Sequence, residues 1–165
     1  LATIVQLFGE DKGFEFMAGL HANINQYTKS GSAPIKAAAR GESTVGIVFM
    51  HDAVKQAVAG FPITVVAPCE GTGYEIGSMS IIDGARNEDS AKAFYDWALT
   101  TEAQNLALEV NAFQVPSNKS SNTSPAAPNM DDIKLIDYNF TLYGSSAERR
   151  RLLSKWDEDI STLAQ

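Results

Sequence analysis

Residues 29–52 read KSGSAPIKAAARGESTVGIVFMHD, and this stretch decides the fold. Ser30, Gly31 and Ser32 precede a helix-forming run, Pro34 suits a first helical turn, and Gly41 is a stop after Arg40. The spacing predicts a helix over 33–40. Val45, Gly46, Ile47, Val48 and Phe49 then form a nearly continuous apolar run, the pattern of a parallel strand buried on both faces. It delivers His51 and Asp52. A helix start built from small residues presents unpaired backbone N–H groups and the positive end of a helix dipole, which suit a phosphate or carboxylate. Ligands of open α/β sheets sit beyond the carboxyl ends of the strands, so Ser30, Gly31, Ser32, His51 and Asp52 are expected to face one crevice.

Upstream, apolar residues Leu1, Ile4, Val5 and Phe8 already fall at helical spacing. With no initiator Met, the chain reads as starting inside a helix and as a fragment. Helices are expected over 1–9 and 12–21, split near Gly9, the second with Phe14, Met17 and Leu20 or His21 on one face. A short strand is expected over 24–27. Downstream, a helix over 52–59 ends at Gly60, and 63–67 reads as another buried strand. The βαβα rhythm predicts an α/β fold with largely parallel strands. After Pro68 the sequence is turn-rich, and a strand over 74–82 leaves it for a new sheet position. Helices over 88–99, with Ala91, Phe94 and Ala98 inward, and over 101–111 follow. Residues 112–130 read as a loop, and a last helix over 145–163 places Leu152, Trp156 and Ile160 on one side.

The 165 residues are 44% apolar and 20% charged, the composition of a globular protein. A net charge of -7, with basic residues clustered only at Arg149, Arg150 and Arg151, argues against nucleic acid or an anionic membrane as partner. The arginine run is read as a solvated face that pairs with acidic neighbours. Cys69 is the one cysteine, so there is no intrachain disulfide and no cysteine metal site. No apolar run approaches the roughly 18 to 20 residues that span a bilayer.

Each candidate has a plainer alternative. Ser30, Gly31 and Ser32 can be a helix cap, and Asp52 a natural N-cap for the helix that follows it. Glu75 stands between Tyr74 and Ile76 on the segment leaving Gly71, Thr72 and Gly73, where it is either a ligand contact or an edge carboxylate facing water. Tyr74 either stacks on a ligand or packs under the crossover. Dinucleotide, Walker, nucleophile-elbow and zinc-protease motifs are absent. His51, Asp52 and Glu75 could move a proton, but no nucleophile accompanies them, so binding without chemistry is the simpler reading.

Several phrases resemble the C-terminal half of a type 2 periplasmic solute-binding protein of an ABC transporter, in the ferric-iron-binding-like superfamily. They are Ser30-Gly31-Ser32-Ala33-Pro34 leading to Ala39-Arg40-Gly41-Glu42, then Val45-Gly46-Ile47-Val48. Gly84-Ala85-Arg86-Asn87, with Ala91 to Trp97 beyond it, and Thr101-Glu102-Ala103-Gln104 extend the likeness over roughly residues 1 to 120. Ferric-ion members carry a tyrosine pair directly after the strand, where this chain has His51 and Asp52. That pair, with Glu75, is similar to the hexose-phosphate-binding branch.

The resemblance implies that His51, Asp52 and Glu75 hold sugar hydroxyls, while the phosphate rests on backbone N–H groups that include those of Gly31 and Ser32. It implies a second lobe over 1–71, a hinge crossover over 72–78, a first-lobe segment over 79–120, and a loop and helix over 121–165 returning to the second lobe. Most of the N-terminal lobe, with a second phosphate loop, is then absent. The implied protein is periplasmic, not an enzyme, and without a cofactor. It hands a phosphorylated sugar to an inner-membrane ABC permease and does not insert in the membrane itself. Another anionic solute such as a phosphonate or dicarboxylate, ferric iron, and a hydrolase using Asp52 or Glu75 are the rival readings.

Overall fold

Helices form where the periodicity and the caps require them. The computed structural model describes residues 1–163, with α1 over Ala2–Phe8, α2 over Glu10–His21, α3 over Ala33–Ala39 and α4 over Met50–Val58. Further along are α5 over Glu88–Ala98, α6 over Thr101–Glu109, α7 over Phe140–Tyr143 and α8 over Ser146–Asp159. A 3₁₀ turn spans Met130–Asp132. The end of α3 shows why the sequence stops there. The Gly41 N–H donates to the Ala38 carbonyl at 3.0 Å and the Glu42 N–H to that of Ala37 at 2.9 Å, a Schellman closure of the last turn. The Gly60 and Phe61 N–H groups close α4 in the same way on Ala57 and Gln56. At the start of α8 the Ser145 hydroxyl accepts from the Glu148 N–H at 3.2 Å.

The expected strands are not realised. Among the described residues the one β-type pairing is an isolated parallel bridge between Thr72 and Leu135. Residues 24–27, 44–49, 63–67 and 74–82 form no ladder, and Val45 and Ile47 are 75% and 68% exposed rather than buried. A strand takes its hydrogen bonds from chain distant in sequence, and no such partner stands beside these segments among the described residues. Among the described residues the regular elements are helices, and these apolar runs are extended segments without a ladder. The inner stripe expected on α5 is corrected too, since Phe94 is 60% exposed and the helix buries no residue.

The chain divides into two units. One comprises Leu1–Thr28, Ala67–Tyr74 and the stretch from Ile133 onward, and the other comprises Lys29–Val66 and Glu75–Asp132. The first 28 residues group with α8, and the segment 79–120 groups with 29–66. Apolar burial explains the first grouping, because Val5 of α1, Phe14 and Met17 of α2, Leu152 of α8 and Ile160 form one core, with Ile4, Ala18, Tyr143 and Trp156 against it. The second unit buries Ile35, Ala39, Ala53, Val54 and Phe113.

His21 closes α2 as a buried polar residue of the first unit. Its Nε2 lies 3.2 Å from the Leu163 carbonyl, which can only accept, so the ring proton stands on Nε2. Nδ1, 2.9 Å away, then accepts from the Tyr27 hydroxyl, and the Tyr27 ring stacks on the imidazole. Burying this side chain leaves neither nitrogen unsatisfied.

Arg151 ties α8 to α2. Its guanidinium donates to both Glu10 carboxylate oxygens at 2.8 and 2.7 Å and to both Glu148 oxygens at 2.9 and 2.7 Å. These charge-assisted bonds hold both carboxyls below the usual carboxylate range. A depressed folded pKa contributes stability above the unfolded value of about 4.3, and that contribution is lost as pH falls through the folded value. The Arg151→Met variant is therefore expected to lose a small, salt-screened increment of melting temperature at neutral pH. Its melting temperature should also fall less steeply than that of the unmodified protein below about pH 4.3. Thermal melts across pH, at low and high salt, measure both.

Candidate functional site

The second unit assembles most of the candidate residues from the start of α3 to the start of α4. Ser32 is the N-cap of α3 but has helical backbone angles and makes no side-chain cap hydrogen bond, so the plain capping role weighed for it is not taken up. The Ser30 carbonyl accepts from the Ala33 N–H at 3.3 Å, which turns the chain into the helix. The extended segment then passes close over this first turn at Gly46. A Cβ there would lie 2.8 Å from the Pro34 carbonyl oxygen and 3.3 Å from the Ile35 nitrogen, so any larger residue would push the segment off α3.

Phe49, at the end of the segment, links the two helix starts. Its ring edge lies about 3.7 Å from where a Cβ on Gly31 would stand, and its face stacks on the His51 imidazole at 5.6 Å and 15°. Phe49 is also the N-cap of α4, with extended backbone angles, and its carbonyl accepts from the Asp52 and Ala53 N–H groups at 3.1 and 3.3 Å. The helix therefore begins at Met50, two residues before its expected start, and Asp52 occupies the first turn rather than the cap. A carboxylate there is favoured by the positive helix end. His51 Nε2 and Asp52 Oδ2 stand 3.8 Å apart, and both side chains are about one quarter exposed, at 29% and 25%. They form an adjacent imidazole and carboxylate, open to solvent and able to share hydroxyl hydrogen bonds.

Glu75 lies apart in the hydrogen-bond pattern. It is exposed, and among the described residues its carboxylate makes no hydrogen bond or ion pair and has no contact with His51 or Asp52. Tyr74 takes the packing alternative rather than a free one, with its ring edge-on to Tyr138 at 6.3 Å and to Phe140 at 5.5 Å. In the sequence Phe49 reads as a strand residue, and nothing there singles out Tyr138 or Phe140 as packing partners. The position of Phe49 directly before Met50 and His51 was the available signal for its place beside the pair. No group of three or more His, Cys, Asp or Glu that could hold a metal ion exists among the described residues. No helix among them is long and apolar enough to cross a membrane.

Residues 3–133 match the family model of bacterial extracellular solute-binding proteins, and the chain belongs to that family. It is similar to the periplasmic binding protein AfuA of Actinobacillus pleuropneumoniae, solved with exogenous fructose-6-phosphate bound. The two are 50% identical with a TM-score of 0.92, over 98% of this chain and 51% of that one. The periplasmic binding protein P5PA is 37% identical with a TM-score of 0.89, over 97% of this chain and 51% of its own. An uncharacterized protein of Haemophilus influenzae is 47% identical across 97% of this chain and 46% of its own length. The chain thus spans about half the length of the relatives it matches.

Proposed function

We propose that this chain belongs to the periplasmic solute-binding component of an ABC importer, which captures a hexose phosphate and delivers it to an inner-membrane permease. The observation that carries the reading is the contact chain Gly31, Phe49, His51 and Asp52, which sets an imidazole and a carboxylate beside a turn of small residues. His51, Asp52 and Glu75 would hold sugar hydroxyls, because imidazole and carboxylate accept hydroxyl hydrogen bonds and reject analogues lacking them. The backbone N–H groups at Ser30, Gly31 and Ser32 would seat the phosphate. The bound fructose-6-phosphate of AfuA, at 50% identity, supports that ligand class. Residues 72–78 would serve as the hinge crossover. Calorimetry of the full-length protein with glucose 6-phosphate, glucose and ferric iron tests it. Binding of the sugar phosphate well above that of glucose is expected, and binding of iron alone would overturn the proposal.

A further inference from the structure

We infer that Phe49 is a positioning residue for His51, its ring setting the plane in which the imidazole meets a ligand hydroxyl. This rests on the reading of His51 as a sugar contact. Every group involved lies within the second unit, in its stretch Lys29–Val66. An imidazole nitrogen donates or accepts in the plane of its ring, so rotating the ring swings both nitrogens away from a fixed partner. Such a ring is ordinarily held by a hydrogen bond on one nitrogen. Among the described residues His51 has no such bond. Its Nε2 approaches Asp52 Oδ2 only to 3.8 Å, beyond hydrogen-bond reach, while the Phe49 ring lies nearly parallel to the imidazole, at 15° and a centroid distance of 5.6 Å. The stack is therefore the contact that fixes the imidazole plane.

Phe49 is itself held at both ends of its side chain. As the N-cap of α4 it gives its carbonyl to the Asp52 and Ala53 N–H groups at 3.1 and 3.3 Å, which fixes the backbone from which the ring starts. The ring edge, at Cε2 and Cδ2, comes against the chain at Gly31, 3.7 and 3.8 Å from where a Cβ there would stand. A phenyl ring has two χ angles, and a contact on its edge with another on its face restricts both. The ring is nonetheless 50% exposed, and the buried apolar residues of this unit, Ile35, Ala39, Ala53, Val54 and Phe113, do not include it. A half-exposed phenyl contributes little to the fold, so its replacement separates an effect on His51 from an effect on stability.

A double-mutant cycle on the full-length protein, read by calorimetry with glucose 6-phosphate, tests this. His51→Ala should weaken binding about tenfold, and Phe49→Ala about threefold to tenfold, with a melting temperature close to that of the unmodified protein. In the His51→Ala background, Phe49→Ala should add less than about twofold, since the imidazole it orients is gone. Phe49→Tyr keeps the stacking face and should hold the affinity to within about twofold. If Phe49→Ala does not fold, Phe49→Leu keeps apolar bulk without the face and carries the same expectations. Proton magnetic resonance supplies a readout that a purely structural role would not move. The carbon-bound protons of the His51 ring, assigned by their loss in His51→Ala, should shift in Phe49→Leu and stay in place in Phe49→Tyr. Unchanged affinity in His51→Ala overturns the sugar-contact reading and the positioning role together. Loss in His51→Ala with a fully additive double variant, with no loss in Phe49→Ala, or with unmoved His51 resonances in Phe49→Leu overturns the positioning role alone.

Discussion

Replacing Asp52 by alanine is expected to lower hexose-phosphate affinity by about 10- to 100-fold while the melting temperature moves by no more than a few degrees. The first number follows from what is removed. A hydrogen bond to a charged group contributes about 1.5–3 kcal/mol, and about 1.4 kcal/mol is a factor of ten in affinity. The second follows from where Asp52 stands. It occupies the first turn of α4, makes no cap hydrogen bond, and contributes to the helix only through the dipole, about 0.3–1 kcal/mol. Binding and stability thus respond on different scales, which separates a ligand contact from a structural residue. Asp52→Asn refines the test. It keeps the shape and one acceptor oxygen but loses the charge, so an intermediate affinity is expected. His51 is a harder residue to read by substitution, because its ring also stacks on Phe49, which in turn lies against Gly31. His51→Ala would therefore disturb the small-residue turn as well as the polar pair, whereas Asp52 meets the pair of rings only at His51 Nε2, 3.8 Å away. Equal affinity in Asp52→Ala would remove Asp52 from the site.

How much of this was legible in the sequence depends on where each element finds its hydrogen bonds. The helix α3 closes upon itself, so Pro34 in its first turn and Gly41 beyond its end sufficed to place it within a residue. The break at Gly9 between α1 and α2 and the Leu152, Trp156 and Ile160 face of α8 were readable for the same local reason. The run from Val45 to Phe49 was not. Its apolar pattern records a preference for burial in a sheet, but a ladder needs a second chain segment, and among the described residues none pairs with it. The same holds for 63–67 and 74–82. The short helix α7 escaped notice because four residues are too few to show a period. For the candidate pair His51 and Asp52, the adjacency is in the sequence itself, but its helical setting was not legible. The helix reached back to Met50, so His51 and Asp52 belong to a helical first turn instead of a strand end.

The largest stability effect is expected at Leu152. The Leu152→Ala variant should lose about 2–5 kcal/mol, the range for truncating a leucine that the surroundings cannot collapse onto. Leu152 is 3% exposed and is surrounded by residues from three different parts of the chain. These are Val5 of α1, Phe14 and Met17 of α2, and Ile160, itself 1% exposed. The helices α1 and α2 are fixed to each other through Gly13, where a Cβ would lie 3.3 Å from the Ile4 carbonyl oxygen, so they cannot close easily on a void. Arg151 clamps the neighbouring turn of α8 to Glu10 and further limits collapse. Leu153→Ala supplies the control. It deletes the same atoms one residue along the same helix, but Leu153 is 42% exposed, so a loss of about 1 kcal/mol or less is expected. Urea unfolding of both variants, followed by far-ultraviolet circular dichroism, measures the difference directly. A Leu152→Ala loss no larger than that of Leu153→Ala would show that α8 is not seated on α1 and α2 as described.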